Sequence, residues 1–202
     1  MAVLPIIIAP DARLKTRSVA VDVIDDTIHR LVGDMFDTMY AEKGIGLAAV
    51  QVGVLKRILV ADTTWRDEGG PGEQYVLINP EVVHDTGDLN VYKEGCLSFP
   101  DQFAEVTRPR TVRIRFLDMQ GQAHEQDFDG LMATCVQHEI DHLNGIVFVD
   151  HISLTKRDMI LRKLKKQKKL GYFDPHDHAN CGHDHGHDDH QHEHVHGEHC
   201  NH

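Results

Sequence analysis

From Asp26 the apolar residues Ile28, Leu31, Val32, Met35, Phe36 and Met39 recur at helical spacing, which predicts an amphipathic helix with Asp25 or Asp26 as its N-cap. Three strand-like runs follow: Arg57 to Ala61, Tyr75 to Ile78, and Thr111 to Phe116, where Val112, Ile114 and Phe116 alternate with Thr111, Arg113 and Arg115. Between the first two runs, residues 63–74 carry Gly69, Gly70, Pro71 and Gly72 and read as an exposed loop. A helix is expected over Leu131 to Leu143. A second should run from about Ser153 or Thr155 to Leu170, with Thr155-Lys-Arg-Asp158 read as a capping box. Helices and strands do not alternate regularly, so the pattern favours an α+β architecture over a doubly wound sheet.

Beyond Pro175 the pattern dissolves into His, Asp, Glu and Gly with almost nothing to bury. The expected organisation is one domain over residues 1–173, including a C-terminal helix at about 153–170, followed by a disordered tail over 174–202. The full chain of 202 residues, 41% apolar and 26% charged, is long enough for one sizeable core. Its formal charge of -11 is uneven, because the tail holds seven carboxylates and no Lys or Arg, leaving -4 on residues 1–173. The acidity therefore says nothing about a substrate. The opening apolar run is interrupted by Pro5 and Pro10 and lacks a basic lead, and no run approaches membrane-spanning length, so neither a signal segment nor a membrane span is expected. Four scattered cysteines do not make a disulfide framework and fit a reducing cytoplasm.

The chemistry concentrates in His138-Glu139-Ile140-Asp141-His142. Residues four apart on a helix lie one above the other, so both imidazoles can face one metal ion with Glu139 beside it as a general base for hydrolysis. Two histidines leave a catalytic ion one protein ligand short. A third histidine after Gly145 would fall at Phe148, and the basic stretch Arg162 to Lys166 offers no downstream glutamate, so the ligand is sought upstream. Cys96, in Glu94-Gly-Cys-Leu-Ser98 before Pro100, would alone read as a small buried hydrophobe. Beside an incomplete histidine pair it becomes the candidate. A third segment, Gly44-Ile-Gly-Leu-Ala-Ala-Val-Gln51, supplies glycines that let a backbone approach a ligand and an amide that can donate a hydrogen bond.

Together these three segments, in this order, resemble the signature set of bacterial-type peptide deformylases, and the likeness extends over most of residues 1–170. The resemblance implies a deformylase-like fold with antiparallel or mixed sheets around the central histidine helix. It implies hydrolysis of the N-formyl group from the initiator methionine of nascent polypeptides. Cys96, His138 and His142 would be metal ligands, with Fe2+ the expected ion, one per subunit, and Zn2+, Ni2+ or Co2+ as substitutes. Glu139 would move the proton, while Gln51 and the Leu97 backbone N–H would stabilise the oxyanion. Ile45, Gly46, Glu94, Gly95, Leu131, Thr134 and Cys135 would bind an extended peptide with its methionine side chain in an apolar pocket. Thr134 is more polar than the usual occupant, and Phe103 stands where many relatives have Arg.

Between Lys156 and Lys169 eight basic residues face the single acid Asp158, and the resemblance implies that this helix docks on the ribosome. The tail carries eleven of the seventeen histidines, and His183, His185, His187, His190, His192, His194 and His196 are candidate accessory ligands for divalent metals. His29, His84, His124 and His151 show no ligand spacing and are expected to be surface or capping residues. A monomer in the cytoplasm is expected. A true peptidase and a metal store built on the tail are the rival readings; the missing third His or Glu ligand speaks against the first, and the second leaves Gln51, Cys96 and Glu139 unexplained.

Overall fold

The computed structural model describes residues 2–173, so the tail and its candidate histidines lie outside the described residues. Among the described residues there are four α-helices: α1 (Asp26–Ala41), the single turn α2 (Trp65–Glu68), α3 (Gly130–Leu143) and α4 (Leu154–Lys169). The strands are β1 (Gly46–Ala48), β2 (Ile58–Ala61), β3 (Tyr75–Asp85), β4 (Leu89–Cys96), β5 (Phe99–Pro109), β6 (Thr111–Leu117) and β7 (Ala123–Asp129). Five of them form an antiparallel sheet in the order β1-β2-β3-β6-β7, and β4 and β5 form a separate hairpin. The α+β architecture expected from the chain is the one observed.

The sheet is covered on both faces where its strands are apolar throughout. Ile58 and Val60 of β2 pack with Val32, Met35 and Met39 of α1, while the intervening Leu59 and Ala61 pack with Val136, Ile140 and Leu143 of α3. Side chains alternate across a strand, so a continuous apolar run must be sandwiched. Farther along the sheet, among the described residues, the α3 side is the covered one. Val112, Ile114 and Phe116 turn inward there, whereas Arg113 and Arg115 reach across to Asp127 and Glu125 on the exposed face. A third core joins the hairpin to the C-terminal helix through Phe99, Val106, Phe148 and Leu164.

Asp25 caps α1, its carboxylate accepting from the N–H groups of Thr27 and Ile28. The expected capping box at Thr155 is not formed. Thr155 lies inside α4, which starts after Ser153 without a side-chain cap bond. The glycine-rich loop contains α2 and is pinned by buried Asp62, which accepts from the backbone N–H of Thr64, Trp65 and Gly72 and from the Tyr40 hydroxyl. Strands β1, β4, β5 and β7 escaped the sequence reading: β7 is largely polar and buries only Phe128, and β4 leaves its apolar residues outside the core and buries only Glu94. Among the described residues no helix is long and apolar enough to cross a membrane.

Candidate metal centre

Helix α3 presents His138 and His142 one turn apart, their ring centroids separated by 4.9 Å. The end of β4 brings Cys96 to them, and a two-residue turn, Leu97-Ser98, leads directly into β5. One ligand atom each from Cys96, His138 and His142 lies within 4.8 Å of the others, and Cys96 Sγ is 3.2 Å from His142 Nε2. One sulfur and two imidazole nitrogens form a donor set suited to a divalent transition ion. The three residues therefore make a Cys-His-His metal site, and the donors fit the group that the sequence pattern calls for.

The orientation of His138 is set from behind. Its Nδ1 donates to Glu94 Oε2 at 2.8 Å, which leaves Nε2 as the ligand atom. Glu94 is held in turn by Arg108, whose Nε and Nη2 reach the two carboxylate oxygens at 2.6 and 3.1 Å. The same guanidinium donates through Nη1 to Asp141 Oδ2 at 2.8 Å, and His151 Nε2 stands at the same distance from that oxygen. Burial opposes charge on Glu94, but the bonds from His138 and Arg108 outweigh it and hold the carboxyl below its ordinary range. Glu94 was expected to serve the substrate. It borders the cleft, yet its carboxylate is engaged by Arg108 and His138, so its observed contacts are those of a residue that positions a ligand.

Glu139 follows His138 on α3 and is 4% exposed. Its Oε2 is buried without a hydrogen-bond partner, and burial, partly offset by neighbouring His138, pushes its carboxyl up to about 7. Gly46 allows this arrangement, because a Cβ there would lie 2.6 Å from Cys135 Sγ and 2.7 Å from Glu139 Oε1. Gln51 lies in the helical turn after β1, its Oε1 accepting from the Ala48 N–H at 2.8 Å. That bond turns Nε2 towards Cys96 Sγ at 3.5 Å and Ser98 Oγ at 3.3 Å.

The remaining expected residues meet in one cleft of ≈ 940 Å3 that contains His138 and Glu139. Ile45 and Gly46 line one side, and Gly95, Cys96 and Leu97 line another. Leu131, Thr134 and Cys135 come from α3. Cys135 is buried, its Sγ 3.4 Å from the Ile45 carbonyl, and the Thr134 hydroxyl donates to the Gly130 carbonyl at 3.2 Å, so its polarity is absorbed within the helix. The sequence reading missed Arg108, Asp141 and His151. Asp141 stands inside the histidine motif and could have been singled out as a neighbour of the ligands, whereas Arg108 carries no local signal at all.

The sequence profile of a family described as Polypeptide deformylase matches residues 3–158. The peptide deformylase of Zymomonas mobilis subsp. mobilis is 51% identical over 172 residues, covering 84% of this chain and 97% of the relative. That of Brucella suis biovar 1 is 50% identical over 166 residues, covering 82% and 94%. Among solved structures, a peptide deformylase from Ehrlichia chaffeensis in complex with actinonin matches with a TM-score of 0.79 and 45% identity over 84% of this chain and 99% of that one. One from Legionella pneumophila matches with a TM-score of 0.78 and 43% identity over 86% and 100%.

Proposed function

The chain belongs to the polypeptide deformylase family and removes the N-formyl group from nascent polypeptides, and from that premise we propose that Glu139, Gln51 and Leu97 carry the reaction at the Cys96, His138 and His142 site. The observation that carries this reading is the Glu139 carboxylate, buried and with one oxygen unpartnered, on the same helix turn as two metal ligands. A divalent cation held by the three ligands supplies Lewis acidity, polarising a carbonyl and making water a stronger acid.

Glu139 takes the proton of the attacking water and returns it to the departing methionine amine, a transfer suited to a carboxyl raised towards neutrality. Gln51 Nε2, aimed past Cys96 by the bond between Oε1 and Ala48, donates to the oxyanion together with the Leu97 N–H. Two strands at sheet edges support an extended substrate. Among the described residues, strand β1 ends the five-stranded sheet and β4 pairs with β5 alone, and both border the cleft. Ile45, Leu131 and Cys135 provide the apolar surface for the methionine side chain.

In this reading the ion is Fe2+, with Zn2+, Ni2+ or Co2+ as substitutes, and the sulfur donor supports a transition ion over Mg2+ or Ca2+. Residues 1–173 act as a monomeric catalytic unit in the cytoplasm. The exposed lysines and arginines of α4 bind ribosomal phosphates. The tail from Asp174 binds further divalent metal through its histidines, and its removal is expected to lower the ions bound per chain. The catalytic reading is tested by incubating the metal-loaded chain with formyl-Met-Ala-Ser. Release of one formate per peptide with Met-Ala-Ser left whole is expected, and cleavage between Met and Ala would contradict it.

A further inference from the structure

Six of the seven phenylalanines are buried or half-buried, five of them at 8% exposure or less, but Phe103 is 59% exposed. It stands on β5 at the rim of the catalytic cleft. A large apolar side chain left in water at the edge of a functional cleft marks a binding surface rather than a contribution to the core. The ring is also held. Phe103 pairs across the hairpin with Gly95, where a Cβ would lie only 2.5 Å from the ring, so the aromatic edge rests against bare backbone. The Lys93 ammonium sits 5.4 Å from the ring centroid. An aromatic side chain fixed in this way loses little rotational freedom when a partner covers it.

Gly95 immediately precedes the metal ligand Cys96. Paired strand residues lie about 5 Å apart and consecutive Cα atoms about 3.8 Å apart. The Phe103 ring therefore lies on the order of 10 Å from the ligand sulfur, the length of roughly three extended residues.

We propose that Phe103 determines the specificity of this chain, forming with the Lys93 side chain an apolar, cation-flanked platform that selects polypeptides with an apolar residue at the second or third position and disfavours a cationic one. This rests on the deformylase reading of the same cleft, in which the formyl group sits at the metal. An apolar side chain laid on the platform gains a contact that serine or lysine cannot make, and the difference is expected to be about fivefold to tenfold in kcat/KM.

The test uses formyl-Met-Ala-X and formyl-Met-X-Ala peptides, with X as Leu, Phe, Ser or Lys, and the metal-loaded full chain. The wild-type chain is expected to prefer Leu and Phe by that factor in at least one series, chiefly through KM. In Phe103→Thr the preference should collapse to within about twofold, while Phe103→Leu should keep most of it. Melting temperature and metal content report whether each variant is folded, and Phe103→Ser replaces the Thr variant if that one is not. A wild-type chain indifferent to X, or a folded Phe103→Thr or Phe103→Ser with an unchanged preference, overturns the proposal. Absence of formate from every peptide would instead overturn the deformylase reading itself.

Discussion

Arg108 is the residue whose loss should reach the metal without touching it. Its side chain is 6% exposed and makes three charge-assisted bonds, two to Glu94 and one to Asp141. Replacement by methionine keeps much of the stem's packing while deleting the charge. Two carboxylates are then left, buried Glu94 with only His138 and half-buried Asp141 with only His151. Removing one partner of a buried pair typically costs about 3–5 kcal/mol. In a folded unit of this size each kcal/mol moves the melting point by about 2–4 °C, so Arg108→Met should melt roughly 6–20 °C below wild type. The second consequence is functional. Glu94 without its guanidinium is a poorer anchor for the His138 ring, and loss of such an outer partner weakens metal affinity by about 10–100-fold. Calorimetric melting of the metal-free chain measures the first effect, and competition with a chelator of known affinity measures the second. Because Glu94 and Arg108 act as a unit, the double variant with Glu94→Gln should cost less than the two single losses added together. A folded Arg108→Met that melts within about 2 °C of wild type and holds metal with unchanged affinity would refute the assignment of Glu94 and Arg108 as the support of His138.

Glu139→Ala is expected to keep its metal and lose about a hundredfold to ten-thousandfold in kcat, measured as formate release against metal content; loss of the ion in the same variant would mean that the carboxylate is structural. Gln51→Ala should lower kcat by about a hundredfold or more, with a small loss of stability because the Ala48 N–H loses its acceptor, and unaltered turnover would remove Gln51 from the mechanism. Lys163→Glu with Lys166→Glu should weaken ribosome co-sedimentation and flatten its dependence on salt while leaving hydrolysis of short peptides intact, and undiminished binding would count against α4 as the docking element.

The histidine pair was legible because helical periodicity is local: a spacing of four on an amphipathic segment fixes a shared face before any tertiary contact is known. The strand character of β2 was legible for a similar reason, since residues 57–61 carry a short continuous apolar run. The support behind His138 was not. Glu94 and Arg108 meet only because β4 and β5 pair in one register, and Arg108 meets Asp141 only because α3 crosses that hairpin. Nothing local distinguishes Arg108 from the exposed Arg110, Arg113 and Arg115 that follow it. His151 was expected to be a surface or capping residue, and its bond to Asp141 depends on the same long-range packing. The aim of Gln51 is likewise tertiary, set by a bond from its own turn and by the arrival of Cys96 from the hairpin. Strand β7, written mainly in polar residues, and β4, whose one buried residue is Glu94, offered too little apolar alternation to be read as strands.

The central claim is that one sulfur from β4 and two imidazoles from α3 hold a single catalytic ion. Anomalous diffraction from crystals of the chain loaded with one equivalent of Zn2+ tests it directly. The expected result is one strong peak bonded to Cys96 Sγ at about 2.3 Å and to one nitrogen each of His138 and His142 at about 2.0–2.1 Å. A peak elsewhere, or an ion bound by the histidines with the Cys96 side chain turned away, would contradict it.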